Sequence, residues 1–140
     1  MKHVYCIVSL ILFCQAVVAQ EKFITVGSGG GIAGTATVYK ITPDGNVLKG
    51  HGIGEIKYTE CGKIKKAQAK RYLRAVSTQT QSTGEFNHPG NLYYFISSTE
   101  KGTAHSITWG DAGHEVLASI RKLYEEINAV VHAVRYKPVP

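Results

Sequence analysis

One cysteine, Cys61, could act as a nucleophile in the exported chain. Cys6 and Cys14 fall in the first nineteen residues, which have the features of a secretory signal peptide. Cys61 lies just before a predicted helix, and a helix N-terminus favours a thiolate. The histidines that could serve as its base are His51, His88, His105, His114 and His132. Because no catalytic signature surrounds Cys61, a small hydrolase or thiol enzyme is the alternative hypothesis and a non-enzymatic role is favoured.

Metal-binding spacings are absent from the sequence, which has no His-x-His, His-x-x-x-His or Cys-x-x-Cys motif. His105 and His114 flank a predicted turn and could converge with Asp111, but packing of His105 beside Ile107 and Trp109 is the favoured interpretation. The ten acidic residues fall mainly in predicted turns and on helix faces, and no pair of them indicates glycoside hydrolysis. The sequence therefore predicts neither a metal site nor a cofactor.

Positive charge is concentrated in one segment. The chain has 16 lysines and arginines against ten acids, and the signal peptide removes only Lys2. Six of the basic residues lie between Gly62 and Val76, where no acid occurs, so the remainder of the exported chain is nearly neutral. Lys63, Lys66, Lys70 and Arg74 recur at helical spacing. This pattern predicts a basic helix face that could bind an anionic glycan, a lipid surface or an acidic protein, although a solvated face has the same composition.

A glycine-rich loop spans residues 27–34 and reads GSGGGIAG. A strand is predicted after it, and no Lys-Ser or Lys-Thr pair follows, so a phosphate-binding loop is not indicated. Gly29, Gly30 and Gly31 are interpreted as a wide turn that could contact a peptide or glycan.

Aromatic residues are concentrated in the predicted strand Leu92–Ile96. Alternation places Tyr93 and Phe95 on one face and Tyr94 on the other. Tyr93 is therefore a candidate binding residue if that face is uncovered, and core packing is the competing interpretation.

Residues 1–19 are predicted to be a signal peptide, and residues 20–140 a single α+β domain with a loose C-terminal tail. Strands are predicted at 22–26, 35–41, 47–58, 92–96 and 103–109, and helices at 62–76 and 114–133, with a polar loop at 77–85. The expected fold is an antiparallel sheet of about five strands with two helices, in the order β-β-β-α-β-β-α. The apolar run of the signal peptide is too short for a permanent membrane-spanning helix, and no run outside the first nineteen residues is long enough.

Four segments resemble a group of small exported bacterial proteins of unknown function: GSGGGxxG at 27–34, YxIxPDG at 39–45, NHPGNxYYFI at 87–96 and HxxTWGD at 105–111. The resemblance implies an exported single domain, periplasmic or extracellular, and assigns no catalytic residue. Nucleic acid is not an expected partner, because the chain is predicted to be exported and no stacking motif accompanies the basic residues. The leading hypothesis is a non-enzymatic binding module, and an inhibitor of a secreted protease is a further alternative.

Overall fold

The computed structural model describes residues 21–134, so the predicted signal peptide and C-terminal tail lie outside the described residues. The described part contains β1 (Phe23–Gly30), β2 (Thr35–Ile41), β3 (Asn46–Gly52), β4 (Tyr58–Lys63), α1 (Lys66–Thr83), β5 (Phe86–His88), β6 (Leu92–Glu100), β7 (Thr103–Trp109) and α2 (Ala118–Ala133). Neither of these helices is long and apolar enough to span a bilayer.

The prediction of a five-stranded antiparallel sheet is wrong. The described strands form one seven-stranded sheet in the order β4-β3-β2-β1-β6-β7-β5. The sheet is mixed, because β5 pairs in parallel with β7 while the other pairs are antiparallel. Along the chain, four strands precede α1 and three separate it from α2, so the predicted element order is also wrong.

Two local features explain the additional strands. The segment 47–58 was expected to be a single strand, but the chain leaves β3 after Gly52 and returns beside it as β4. Strand β5 has only three residues. A strand of that length shows no hydrophobic period, and it forms here because β7 offers a neighbouring edge.

Helix α1 begins four residues later than predicted, at Lys66, and continues through most of the segment predicted to be a polar loop. The buried residue Thr80 holds this extension against the sheet. Its hydroxyl bonds to the Val76 carbonyl oxygen at 2.9 Å and to the Ser98 hydroxyl on β6 at 2.9 Å. A polar side chain therefore anchors the C-terminal part of α1, and hydrophobic periodicity cannot predict such a contact.

Both helices cover the same face of the sheet. Arg71 of α1 contacts Glu126 of α2, while Gln79 near the end of α1 bonds to Ser119 near the start of α2, so the helices run antiparallel. The core between them and the sheet is formed by strand residues Ile24, Val26, Tyr39, Ile41, Val47, Ile96, Ile107 and Trp109, with Ala69, Tyr72, Leu73, Val76, Ile120, Tyr124, Ile127 and Val131 from the helices. No helix packs on the opposite face of the sheet within the described residues, and we refer to it as the open face.

Candidate functional site

Three basic residues form a straight stripe along the exposed side of α1. Lys66, Lys70 and Arg74 are four residues apart and exposed, while Leu73 and Val76 of the same helix are buried in the core. Residues at this spacing lie above one another on a helix. We refer to Lys66, Lys70 and Arg74 as the basic stripe.

The prediction that Lys63 continues this stripe is wrong, because Lys63 is the last residue of β4 and precedes the helix. It lines a separate cleft of about 920 Å³ with Lys65 and Arg71, against the C-terminal end of α2. Helical spacing was misleading at this position because the strand and the helix join without a glycine or proline to mark the boundary.

Ion pairs neutralise part of the basic segment. Lys66 contacts Asp44 at 3.2 Å, and Arg71 contacts Glu126 at 2.6 Å. The hydrogen bond from Arg71 holds the pKa of Glu126 below its usual value. Among the described residues, no carboxylate lies within 4 Å of the side-chain nitrogens of Lys63, Lys65, Lys70 or Arg74, so four positive charges remain uncompensated.

A pocket opens beside the basic stripe. Its volume is about 380 Å³, and it is lined by Lys22, Lys70 and Arg74 around Leu73 and Pro43. Lys22 is also paired with Glu100 at 3.1 Å. The pocket combines cationic walls with an apolar base, which suits a small anionic group attached to a less polar body.

The glycine-rich loop is mostly a strand. Strand β1 extends through Gly30, and only residues 31–34 form the turn to β2. Gly30 and Gly31 have φ angles of 103° and 75°, which favour glycine. Gly29, Gly30 and Tyr93 line one cavity of about 300 Å³, together with Ser28, Thr35, Thr37, Leu92 and Tyr94, so the structure brings together three of the predicted binding residues. Gly31 does not line this cavity; its amide donates to the Asn91 carbonyl oxygen.

The aromatic strand divides between the two faces of the sheet as alternation predicts. Tyr94 packs on the helix side, with its ring centre 6.0 Å from that of Trp109 and 5.8 Å from that of Tyr124. Tyr93 and Phe95 are partly exposed on the open face. The register pairs them with Gly29 and Gly27 of β1, so each ring lies next to a residue without a side chain.

Cys61 lies in β4, at an irregularity in its pairing with β3, and is partly buried against the core. It is five residues from the start of α1 and so does not benefit from the helix dipole. Burial raises the pKa of its thiol, outweighing the opposite effect of Lys49. No hydrogen bond joins this thiol to a histidine within residues 21–134, so the geometry offers no support for a thiol enzyme.

Asp111 and His114 lie together after β7, but their neighbour is His88 rather than His105. The Asp111 carboxylate bonds to His114 Nδ1 at 2.5 Å, and the His88 and His114 rings stack with centres 3.8 Å apart. The bond from His114 lowers the pKa of Asp111. The sequence analysis considered His88 only as a base for Cys61 and missed its place beside His114. No set of three side chains suited to a metal ion occurs in the described part of the chain.

No protein-family model matches this chain, and no curated protein matches it. The geometry of the chain is therefore the basis for assigning a function.

Proposed function

We propose that this protein is an exported, non-enzymatic binding module that uses the basic stripe of α1 to attach to an anionic surface. The observation that carries the proposal is the exposure of Lys70 and Arg74 on one side of α1 with no carboxylate within ion-pairing distance among the described residues. Lys66 extends the same line, although its charge is partly neutralised by the ion pair with Asp44.

The shape of the stripe favours an extended surface over a compact ligand. Three cations in a row on a convex helix can contact several phosphate or carboxylate groups at once. An exposed lysine or arginine close to an anionic membrane contributes about 1 kcal/mol of binding free energy. The signal peptide predicted from the sequence supports a location in which lipid headgroups and acidic glycans are available.

Co-sedimentation with lipid vesicles tests the proposal. We expect the purified protein to bind vesicles of phosphatidylglycerol and phosphatidylcholine, but not vesicles of phosphatidylcholine alone. The double variant Lys70→Gln/Arg74→Gln should lower the partition coefficient roughly 30-fold, since two contributions of about 1 kcal/mol are removed. Raising the salt from 50 to 500 mM should release the wild-type protein, because surface charges are then screened.

The matched control is Arg121→Gln/Lys122→Gln, which removes the same net charge from exposed positions of α2. This variant should bind almost as well as the wild type. If both double variants lose binding equally, the attraction comes from net charge, and the basic stripe is not a site. If neither loses binding, or the wild type does not bind at all, the proposal is wrong.

A further inference from the structure

The open face carries two aromatic rings that lie across the sheet. An ideal Cβ atom built on Gly27 would come within 2.6 Å of Phe95 Cζ, and one built on Gly29 within 2.5 Å of Tyr93 Oη. The far ends of both side chains therefore occupy the space above the glycine of the neighbouring strand. Each side chain therefore lies over the neighbouring strand, and part of it stays exposed to solvent.

The two rings form a continuous platform. Their centres are 6.4 Å apart and their planes differ by 35°. Tyr93 and Phe95 are both partly exposed. The outward side of an aromatic ring is apolar with a negative electrostatic potential, and it attracts weakly polarised C–H groups.

Hydroxyl groups surround this platform. The register places Thr25 opposite Ser97, Ser97 opposite Ser106, and Phe95 opposite Thr108. These residues therefore share the open face, and Ser106 is exposed. None of the open-face positions on β1, β6 and β7 holds a charged residue; they are Phe23, Thr25, Gly27, Gly29, Tyr93, Phe95, Ser97, Thr99, Ala104, Ser106 and Thr108. The adjacent strand β2 contributes Lys40 to this face, where its ammonium lies 3.8 Å from the centre of the Phe23 ring and is paired with Glu21 at 2.9 Å.

We propose that this face binds a neutral glycan chain, with its sugar rings stacked on Tyr93 and Phe95 and its hydroxyls bonded to Ser97, Ser106 and Thr108. A sugar ring presents apolar C–H groups on its flat side and hydroxyls at its edge, which matches a ring platform bordered by hydroxyls. Lys40, the charged residue that β2 places beside Phe23, is paired with Glu21, so the surface around Tyr93 and Phe95 offers no free charge to an anionic polymer. This surface lies opposite the helices, so the inference is independent of the basic stripe.

Depletion of the protein from solution onto insoluble neutral polysaccharides tests the inference. The probes are cellulose, chitin and cross-linked dextran, each in 0.5 M NaCl so that attraction to the basic stripe is screened. We expect at least one of them to retain the wild-type protein. Tyr93→Ala should weaken retention about tenfold, as the loss of a central aromatic anchor does, and Tyr93→Phe should restore it because the ring is kept.

Tyr58→Ala is the matched control, since Tyr58 is a partly exposed tyrosine of the open face on the distant strand β4. It should leave retention unchanged. Phe95→Ala could unfold the chain, so Thr108→Val, which removes a hydroxyl at constant volume, is the second test and should also weaken retention. Failure of all three polysaccharides to retain the protein would overturn the inference. So would equal retention of wild type, Tyr93→Ala and Thr108→Val.

Discussion

The buried contact between Thr80 and Ser98 gives a sharp test of how α1 is held on the sheet. Thr80 is 1% exposed and Ser98 is 5% exposed. The Thr80 hydroxyl has one proton, which it donates to the Val76 carbonyl oxygen at 2.9 Å, so in the 2.9 Å contact between the two hydroxyls Ser98 is the donor. Removing the Thr80 hydroxyl therefore has a different consequence from removing the Ser98 hydroxyl.

Thr80→Val keeps the shape of the side chain but leaves the Ser98 hydroxyl buried without an acceptor. A stranded buried donor costs about 1–3 kcal/mol of unfolding free energy. Ser98→Ala leaves the Thr80 proton bonded to Val76, so it should cost less, about 1 kcal/mol or under. In the double variant no donor is left without an acceptor. Adding Ser98→Ala to Thr80→Val should therefore raise the free energy of unfolding by about 1–2 kcal/mol.

Urea unfolding monitored by fluorescence is the assay, because Trp109 is the only tryptophan of the chain and is buried in the core. With a denaturant slope of about 1–3 kcal/mol/M, a loss of about 2 kcal/mol lowers the midpoint by roughly 1 M. The reasoning would be refuted if the costs of the two single variants simply added in the double variant, since additivity means that the two hydroxyls do not interact.

Three further predictions concern packing, protonation and reactivity. Gly27→Ala should cost about 1–3 kcal/mol in urea unfolding because its Cβ would overlap the Thr37 carbonyl oxygen and the Phe95 ring, whereas Gly113→Ala, with only a 3.4 Å contact, should change the midpoint little. The pKa of Glu126 is lowered by its bond from Arg71, so the ionised carboxylate stabilises the fold above the unfolded pKa of about 4.3, and this contribution is lost as the pH falls. The urea midpoint of Glu126→Gln should therefore approach that of the wild type between pH 6 and pH 3. A constant difference between the two midpoints would contradict this prediction. The raised pKa of Cys61 predicts slower alkylation by iodoacetamide at pH 7.5 in the native protein than in urea, measured by mass spectrometry of its peptide, and faster native labelling would indicate an activated thiol.

Long periodic segments were the most predictable parts of the fold. The alternation in Leu92–Ile96 correctly assigns Tyr93 and Phe95 to one face and Tyr94 to the other, and the helix predicted at 114–133 contains α2. These predictions succeeded because the hydrophobic period of each segment agrees with the side that the rest of the protein covers.

The failures occurred where a distant part of the chain decides the local structure. The second half of α1 is helical despite its polar sequence because Thr80 bonds to Ser98 on β6. Strand β5 forms because β7 offers an edge for pairing. The pairing of His88 with His114 likewise joins segments that are 26 positions apart in the sequence. Local patterns contain no information about such contacts, so neither the strand order nor this histidine pair could be derived from them.

Lysine footprinting on vesicles tests the central claim most directly. The protein is acetylated with a brief pulse of reagent, free and bound to vesicles containing phosphatidylglycerol, and each lysine is quantified by mass spectrometry. We predict that Lys66 and Lys70 become protected on the vesicles, while Lys101, in the turn before β7, and Lys122, on α2, react as they do in the free protein. Equal protection of all four lysines, or protection of none, would contradict attachment through the basic stripe.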